Sequence, residues 1–325
     1  MTAAIVAVSC LAGSAQAVEI RPVTLSYRKS PYSDYLFYLL YRHGGAYESL
    51  LKDKVPLQHI PELNSLVSLP QIALRATSYG DVQAAAEVYR HPEKRVIKMP
   101  NGGHRILWHS NAPPGYAELQ AILRAGEKEY PAFEEFWRER IAADEDDQIA
   151  AWRTQEAACN PMRRLQEMTR LTFPFPQLDV GVVALHFSGS ANTDPPGIST
   201  GVWAKPNLPR VLGHEATHLL VDEFGGLNWA DKPGARAVIQ LAAQQGGQGA
   251  DIEEALTLLM QTKLAQSCGT TPADLMLSSK LSNDGSVKYR VLAGFEHDWP
   301  DFERNPNQNL IEFMIHSAHR SLHKP

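Results

Sequence analysis

The chain has little cysteine, little net charge and no long apolar run. Its 325 residues include three cysteines, and the formal net charge is −5. So small a charge gives no indication of a surface for nucleic acid or anionic membranes, and we expect no nucleic-acid partner. No uninterrupted apolar run reaches the roughly 20 residues of a membrane-spanning helix, so we expect no stable membrane insertion. The 44% hydrophobic content is sufficient for one large core or two coupled cores.

The N-terminus differs in composition from the rest of the chain. Residues 2–17 are small or apolar, carry no charge and end in Ala15-Gln16-Ala17. An apolar stretch before such a sequence is typical of a secretory signal peptide, although the usual preceding basic residues are missing. We therefore predict a signal peptide over residues 1–17 and export to the periplasm or the exterior. A disordered or buried N-terminal segment is the alternative.

The cysteines carry no recognisable catalytic motif. Loss of a signal peptide would remove Cys10 and leave Cys159 and Cys268. Two cysteines in an oxidising compartment can form one disulfide, and a pair of buried free thiols is the alternative. Neither residue lies in a C-x-x-C motif, so we assign them no catalytic role.

The most informative segment is residues 213–219, Gly-His-Glu-Ala-Thr-His-Leu, which contains His-Glu-x-x-His. Asn207 as an N-cap and Pro209 in the first turn predict a helix here. Residues four apart lie on nearly the same helix face, so His214 and His218 can reach one Zn²⁺. The alternative is two core histidines that are hydrogen-bonded to backbone carbonyls. Burying two imidazoles and a carboxylate together is costly without a metal or other partners, which favours the zinc site.

Glu215 lies about 100° further round the same helix. There it can act on a zinc-activated water without binding the metal itself. A catalytic zinc polarises the substrate carbonyl and lowers the pKa of the water molecule bound to it. A neighbouring carboxylate then takes a proton from that water. The pattern therefore predicts Zn²⁺ as cofactor and Glu215 as general base.

A catalytic zinc normally has three protein ligands. Phe224 stands where the metzincin pattern requires a third histidine, which excludes that arrangement. The remaining common solution is a glutamate from a second helix. Residues 251–259 are the best candidate segment, because they follow a glycine-rich loop and continue as an apolar helix containing Glu253 and Glu254.

At this point the chain resembles the gluzincin superfamily, whose best-known members are thermolysin-like peptidases. The resemblance covers residues 213–218 and the segment Glu254-Ala255-Leu256-Thr257, which is similar to the family's Asn-Glu-Ala-hydrophobic-Ser block. It implies a zincin-like catalytic core. The ligands that it implies are His214, His218 and Glu254, with Glu215 as general base.

Two features depart from the family pattern. Leu258 stands where the family usually has an acid four residues after the ligating glutamate. The spacing from His218 is also longer than in thermolysin, which leaves room for an inserted helix within 232–245. If Glu253 were the ligand instead, Thr257 would stand at the position of that acid, so both glutamates remain candidates.

Two further roles stay open. Tyr289 and His297 lie downstream, where gluzincins usually supply a neutral donor to the oxyanion, and the sequence does not choose between them. Asp222, one turn after His218, could accept a hydrogen bond from a ligating imidazole. An exposed acid near the helix end is the alternative for Asp222.

The whole pattern predicts a mostly helical α+β protein with a small β-sheet. We expect an N-terminal helical region over 18–172 and a zincin-like catalytic region over 173–325. The latter contains two extended stretches, 180–187 and 197–204, with a turn-rich loop between them. The resemblance implies that one of these strands pairs with an extended substrate, and a plain hairpin is the alternative.

We therefore predict a zinc-dependent metallohydrolase, and specifically a peptidase that acts on a peptide or protein substrate. A non-catalytic zinc- or peptide-binding periplasmic protein that retains the zincin helix is the alternative, and an amidase acting on cell-wall peptides is a third. The sequence gives no indication of oligomeric state. Glu215 favours catalysis, since a purely structural zinc site needs no base.

Overall fold

The protein folds as an α+β structure that is mostly helical, as the sequence predicts. The computed structural model describes residues 20–43, 73–87, 96–98, 104–106, 116–186, 189–193, 196–201, 207–221, 229–271 and 285–323. The predicted signal peptide, residues 1–17, lies outside this described part. No helix in the described ranges is long and apolar enough to cross a bilayer.

Four strands form the larger sheet, in the order β1-β4-β6-β5. β4 pairs in parallel with β1 and with β6, whereas β5 runs antiparallel to β6. β4 is buried over nearly its whole length, as central parallel strands usually are. The strands, including a separate pair β2-β3, are β1 (Thr24–Lys29), β2 (Val96–Lys98), β3 (His104–Ile106), β4 (Gln177–Val182), β5 (Gly189–Thr193) and β6 (Pro196–Thr200).

Helices surround this sheet and make up most of the described chain. Two of them, α7 and α9, carry the residues of the candidate site, and α8 confirms the helix predicted between them. The described helices are α1 (Pro31–His43), α2 (Tyr79–Glu87), α3 (Tyr116–Gly126), α4 (Tyr130–Arg140), α5 (Ala142–Cys159), α6 (Pro161–Thr169), α7 (Leu208–Val221), α8 (Ala235–Gln244), α9 (Gly249–Ser267), α10 (Val287–Arg304) and α11 (Leu310–His323).

The strand predicted over 180–187 lies earlier in the chain, because β4 begins at Gln177 and ends at Val182. The backbone N–H groups of Ala184 and Leu185 donate to the buried carboxylates of Glu145 and Asp34, at 3.0 and 2.8 Å, instead of continuing a strand. The prediction of a turn-rich loop between the two strands is also wrong. β5 lies there and pairs with β6, since tertiary pairing overrides the weak strand propensity of its small residues.

The apolar interior consists of two clusters of buried side chains. The larger lies between the sheet and helices α5 to α11, and it includes Trp152, Phe295, Trp299 and Phe313. The smaller joins α1 to α4 and the segment after β4. β1 precedes the helices of the smaller cluster in the chain and yet pairs with β4, so the first part of the chain contributes to the larger sheet.

A disulfide links Cys159, the last residue of α5, to Cys268, which caps α9. Of the two alternatives left open by the sequence, the structure contains the bridged one. The bond connects residues 109 positions apart. It therefore fastens the helix that carries Glu254 to a helix of the N-terminal half of the chain.

Candidate metal centre

The helix α7 begins as its sequence predicts. The Asn207 side chain accepts a hydrogen bond from the backbone N–H of Arg210 at 3.1 Å, which satisfies one of the free donors of the first turn. The N–H of Leu208 donates to the Gln155 side chain at 2.6 Å. Buried leucines, among them Leu212, then hold the helix against the core. These contacts fix the height and rotation of the two histidines that follow.

Gly213 allows α7 to approach α9 closely. A Cβ atom at this position would lie 2.6 Å from the carbonyl oxygen of Met260 and 2.8 Å from the Cα of Gln261. Five residues later in α7, His218 faces Glu253 and Glu254, which lie nearer the start of α9. The two helices therefore run antiparallel, and their backbone contact at Gly213 brings the histidines within reach of the glutamates.

His214, His218 and Glu254 form one cluster that could hold a metal ion, with one ligand atom of each lying within 4.8 Å of the others. Nε2 of His218 lies 3.4 Å from Oε1 of Glu254, and Nε2 of His214 lies 3.9 Å from Oε2. Ligand atoms bound to a tetrahedral zinc lie roughly 3.4 Å apart. Two imidazoles and a carboxylate are donors that zinc accepts, and the shortest of these distances matches that spacing.

Glu215 lies beside this cluster and is buried, with Oε1 4.0 Å from Nε2 of His214. Burial raises its pKa, the charge of His218 lowers it and that of Glu254 raises it, so the pKa reaches about 7. Glu215 does not belong to the three-residue cluster. Glu215 therefore lies next to the cluster without being part of it, and its role as general base stays a prediction.

Glu253 contacts the opposite side of the His218 ring. Its Oε1 lies 2.6 Å from Nδ1 of His218, and its Oε2 accepts a hydrogen bond from Nε1 of the buried Trp229 at 3.1 Å. The two glutamates thus differ in what they face, since Glu254 lies near Nε2 of both histidines. Sequence reasoning weighed Glu253 only as a ligand and missed Trp229, because no pattern reveals which ring nitrogen a helix neighbour will reach.

The electrostatics of the cluster favour a positive charge. Burial lowers the pKa of His218, but its hydrogen bonds with Glu253 and Glu254 outweigh this and raise the pKa to about 10. Burial and the charge of His218 together lower the pKa of His214 to about 4. The hydrogen bond with His218 lowers the pKa of Glu254. Either a proton on His218 or a divalent metal ion supplies the positive charge that these carboxylates stabilise.

The two predicted oxyanion donors lie in different surroundings on α10. The side chain of His297 is 77% exposed and contacts Asp298, so it is directed towards solvent. Tyr289 is partly buried in the first turn, with the ammonium of Lys288 5.1 Å from its ring centroid. After the larger effects of burial on His214 and of the His218 hydrogen bond on Glu254, the charge of Lys288 also lowers the pKa of both groups. No signal in the sequence indicated Lys288.

β5 forms one edge of the sheet and packs against α7. Only one side of β5 is paired with another strand among the described residues. Backbone groups on the other side could therefore pair with an extended chain. Asp222, the other predicted partner of an imidazole, lies outside the described residues.

Comparisons of the chain with protein-family models, with curated proteins and with solved structures found no match.

Proposed function

We propose that the protein is a zinc metallopeptidase with a zincin-like catalytic core. The observation that carries this proposal is the convergence of His214, His218 and Glu254 from two helices, with Glu215 beside them. Two imidazoles and one carboxylate leave a tetrahedral zinc with one free position, which is the arrangement of catalytic rather than structural zinc sites.

Each residue has a defined task in this mechanism. His214, His218 and Glu254 would hold the zinc, which, when bound, polarises the substrate carbonyl and lowers the pKa of water. Glu215 accepts the proton of the attacking water and returns it to the departing amine. We assign Tyr289 as the donor to the carbonyl oxygen that becomes negatively charged, because the other candidate, His297, is directed towards solvent.

Two observations support a peptide substrate outside the cytoplasm. The edge strand β5 packs against α7 and leaves backbone groups for an extended chain, as β-augmentation requires. The Cys159–Cys268 disulfide is of the kind that persists in oxidising compartments. Both agree with an exported enzyme that binds polypeptide along β5.

A zinc- or peptide-binding protein without activity is the second candidate, because Leu258 replaces the acid that gluzincins usually carry there. Glu215 argues against it. Burying a third carboxylate beside the cluster costs stability, and a structural zinc site would not require it.

The test combines metal analysis with peptide cleavage. We expect one zinc per chain in protein purified without chelators, loss of zinc in Glu254→Ala and in Ala variants of either histidine, and chelator-sensitive cleavage of a peptide library. A protein that takes up no zinc would overturn the proposal. Stoichiometric zinc without cleavage of any library member would support the binding protein instead.

A further inference from the structure

We infer that Glu253 is a positioning residue that fixes the ring of His218, and that Trp229 holds Glu253 in place. This inference rests on the proposed zinc site and adds the residues that orient one of its ligands. It concerns a contact outside the metal cluster, on the ring nitrogen of His218 that faces away from Glu254.

The geometry assigns the two ring nitrogens of His218 different tasks. An ionised carboxylate can only accept hydrogen bonds, so the contact of 2.6 Å with Glu253 requires a hydrogen on Nδ1. Nε2 is then the nitrogen that would offer its lone pair to a bound zinc, and it points towards Glu254, 3.4 Å away. A ligating imidazole needs this tautomer, and an acid bonded to its other nitrogen usually fixes it.

Glu253 is itself held at both of its oxygens. Oε1 accepts from His218, and Oε2 accepts from the indole Nε1–H of Trp229, which is only 4% exposed. The side chain of Glu253 is 16% exposed, so water competes little for either bond. A carboxylate is the one side chain that offers an acceptor to each of these donors at this position, since a glutamine offers only one oxygen.

This contact explains how the site manages without an acid at position 258. Leu258 packs against the larger hydrophobic cluster. Neighbouring helix residues point about 100° apart, so Glu254 can face the metal cluster while Glu253 reaches the far side of the His218 ring. The orienting acid thus precedes the ligating glutamate, instead of following it by one turn.

His214 differs from His218 in this respect. Its Nδ1 is buried and has no hydrogen-bond partner among the residues that the structure describes. We therefore expect the orientation of His218 to depend on Glu253, whereas no described acid performs this task for His214.

The experiment measures zinc affinity, by competition with a chromophoric chelator, and the ¹⁵N and ¹H resonances of the histidine rings. The variants are Glu253→Ala, Glu253→Gln, Trp229→Phe and the double variant Glu253→Gln/Trp229→Phe. Glu296→Gln is the matched control, because it removes a carboxylate of the neighbouring helix α10 that makes no hydrogen bond to an imidazole in the described part of the chain. Circular dichroism with chelator present checks that each variant folds.

We expect Glu253→Ala to lower zinc affinity about 10–100-fold, the usual effect of removing a partner of a ligating histidine, and to abolish the downfield Nδ1–H resonance of His218. Glu253→Gln should also bind zinc more weakly, because its single oxygen cannot serve both donors. Adding Trp229→Phe should recover part of that loss, since the amide oxygen is then free for His218. The control should bind zinc as the parent does.

Three results would overturn the inference. They are unchanged zinc affinity in Glu253→Ala, a His218 Nδ1–H resonance that survives in that variant, and loss of zinc as complete as in Glu254→Ala, which would make Glu253 a ligand. A parent protein that binds no zinc would instead contradict the proposed function. The His218 resonances of the metal-free parent and Glu253→Ala would still decide whether Glu253 fixes the ring.

Discussion

Gly213 of α7 lies directly against the carbonyl oxygen of Met260 in α9, so closely that an added Cβ would stand 2.6 Å from it. Real Cβ contacts essentially never come this close, and the obstructing atom is backbone, which cannot move aside by changing a rotamer. The residue that follows is the first histidine of the cluster. The separation of the two helices at Gly213 therefore sets the separation of the histidines from Glu254.

We predict that Gly213→Ala weakens both folding and zinc binding. Alanine improves helix propensity by about 1 kcal/mol. Forcing two helix backbones apart costs typically 1–3 kcal/mol or more, so the free energy of unfolding should fall. Denaturant unfolding and chelator competition measure the two effects.

Gly80→Ala is the control for this prediction. Gly80 lies in α2, and a Cβ there would meet only the Oγ of Ser78, at an ordinary 3.6 Å. Gly80→Ala should keep the zinc affinity of the parent and be at least as stable, because it gains helix propensity without a clash. A Gly213→Ala protein as stable as the parent, with the same zinc affinity, would show that the close contact of the helices does not set the site.

The stability of the protein should fall as the pH rises above about 5, owing to two buried carboxyl groups. Burial and the charge of Asp34 raise the pKa of Glu145, and burial raises that of Asp34. A carboxyl group whose pKa is higher in the folded state stabilises the fold fully below its pKa in the unfolded chain, which is about 4. This stabilisation is lost as the pH rises through the pKa of the folded state. One proton retained only by the folded state lowers the free energy of unfolding by about 1.4 kcal/mol per pH unit.

Glu145→Gln isolates this effect. Oε2 of Glu145 is buried without a hydrogen-bond partner in the described structure, while Oε1 accepts from Ala184. A glutamine amide can keep the accepted bond and supply a hydrogen that does not titrate. The difference in unfolding free energy between variant and parent should therefore shift in favour of the variant from pH 5 to pH 9. A constant difference over that range would disprove the account in which the folded protein retains a proton on Glu145.

The Cys159–Cys268 disulfide should stabilise the fold by about 2–5 kcal/mol, since it closes a loop of more than 100 residues. The measurement compares unfolding of the parent with and without reductant. The Cys159→Ser/Cys268→Ser variant should resemble the reduced parent and should not respond to reductant. Equal stability of the oxidised and reduced parent would contradict this prediction.

The sequence predicted those parts of the site that depend on local patterns. The cap at Asn207 and the four-residue spacing of His214 and His218 depend only on helix geometry, and α7 has the expected start. The α+β class also followed from local pattern, whereas the inserted helix α8 was expected from the length of chain between His218 and Glu254. The cap and the histidine spacing are encoded within a few residues of where they occur.

The parts that sequence reasoning missed depend on distant contacts. The strand expected to reach residue 187 stops at Val182, because Glu145 and Asp34 take the N–H groups that would have extended it. β5 was expected to be a loop, since its pairing with β6 is invisible in its own composition. The role of Glu253 depends on the rotation of α9 against α7 and on Trp229 from another segment. None of these contacts leaves a periodic signal.

The most direct test of the proposed function compares peptide hydrolysis by the zinc-loaded parent and by Glu215→Gln. Glutamine keeps the size and polarity of Glu215 but cannot accept the proton of the attacking water. We predict one zinc per chain in both proteins and cleavage of at least one library peptide by the parent. The variant should cleave that peptide more slowly by a factor of about 100 or more. Equal rates at equal zinc content, or a fully zinc-loaded parent that cleaves no peptide, would contradict the proposal that this site is a peptidase.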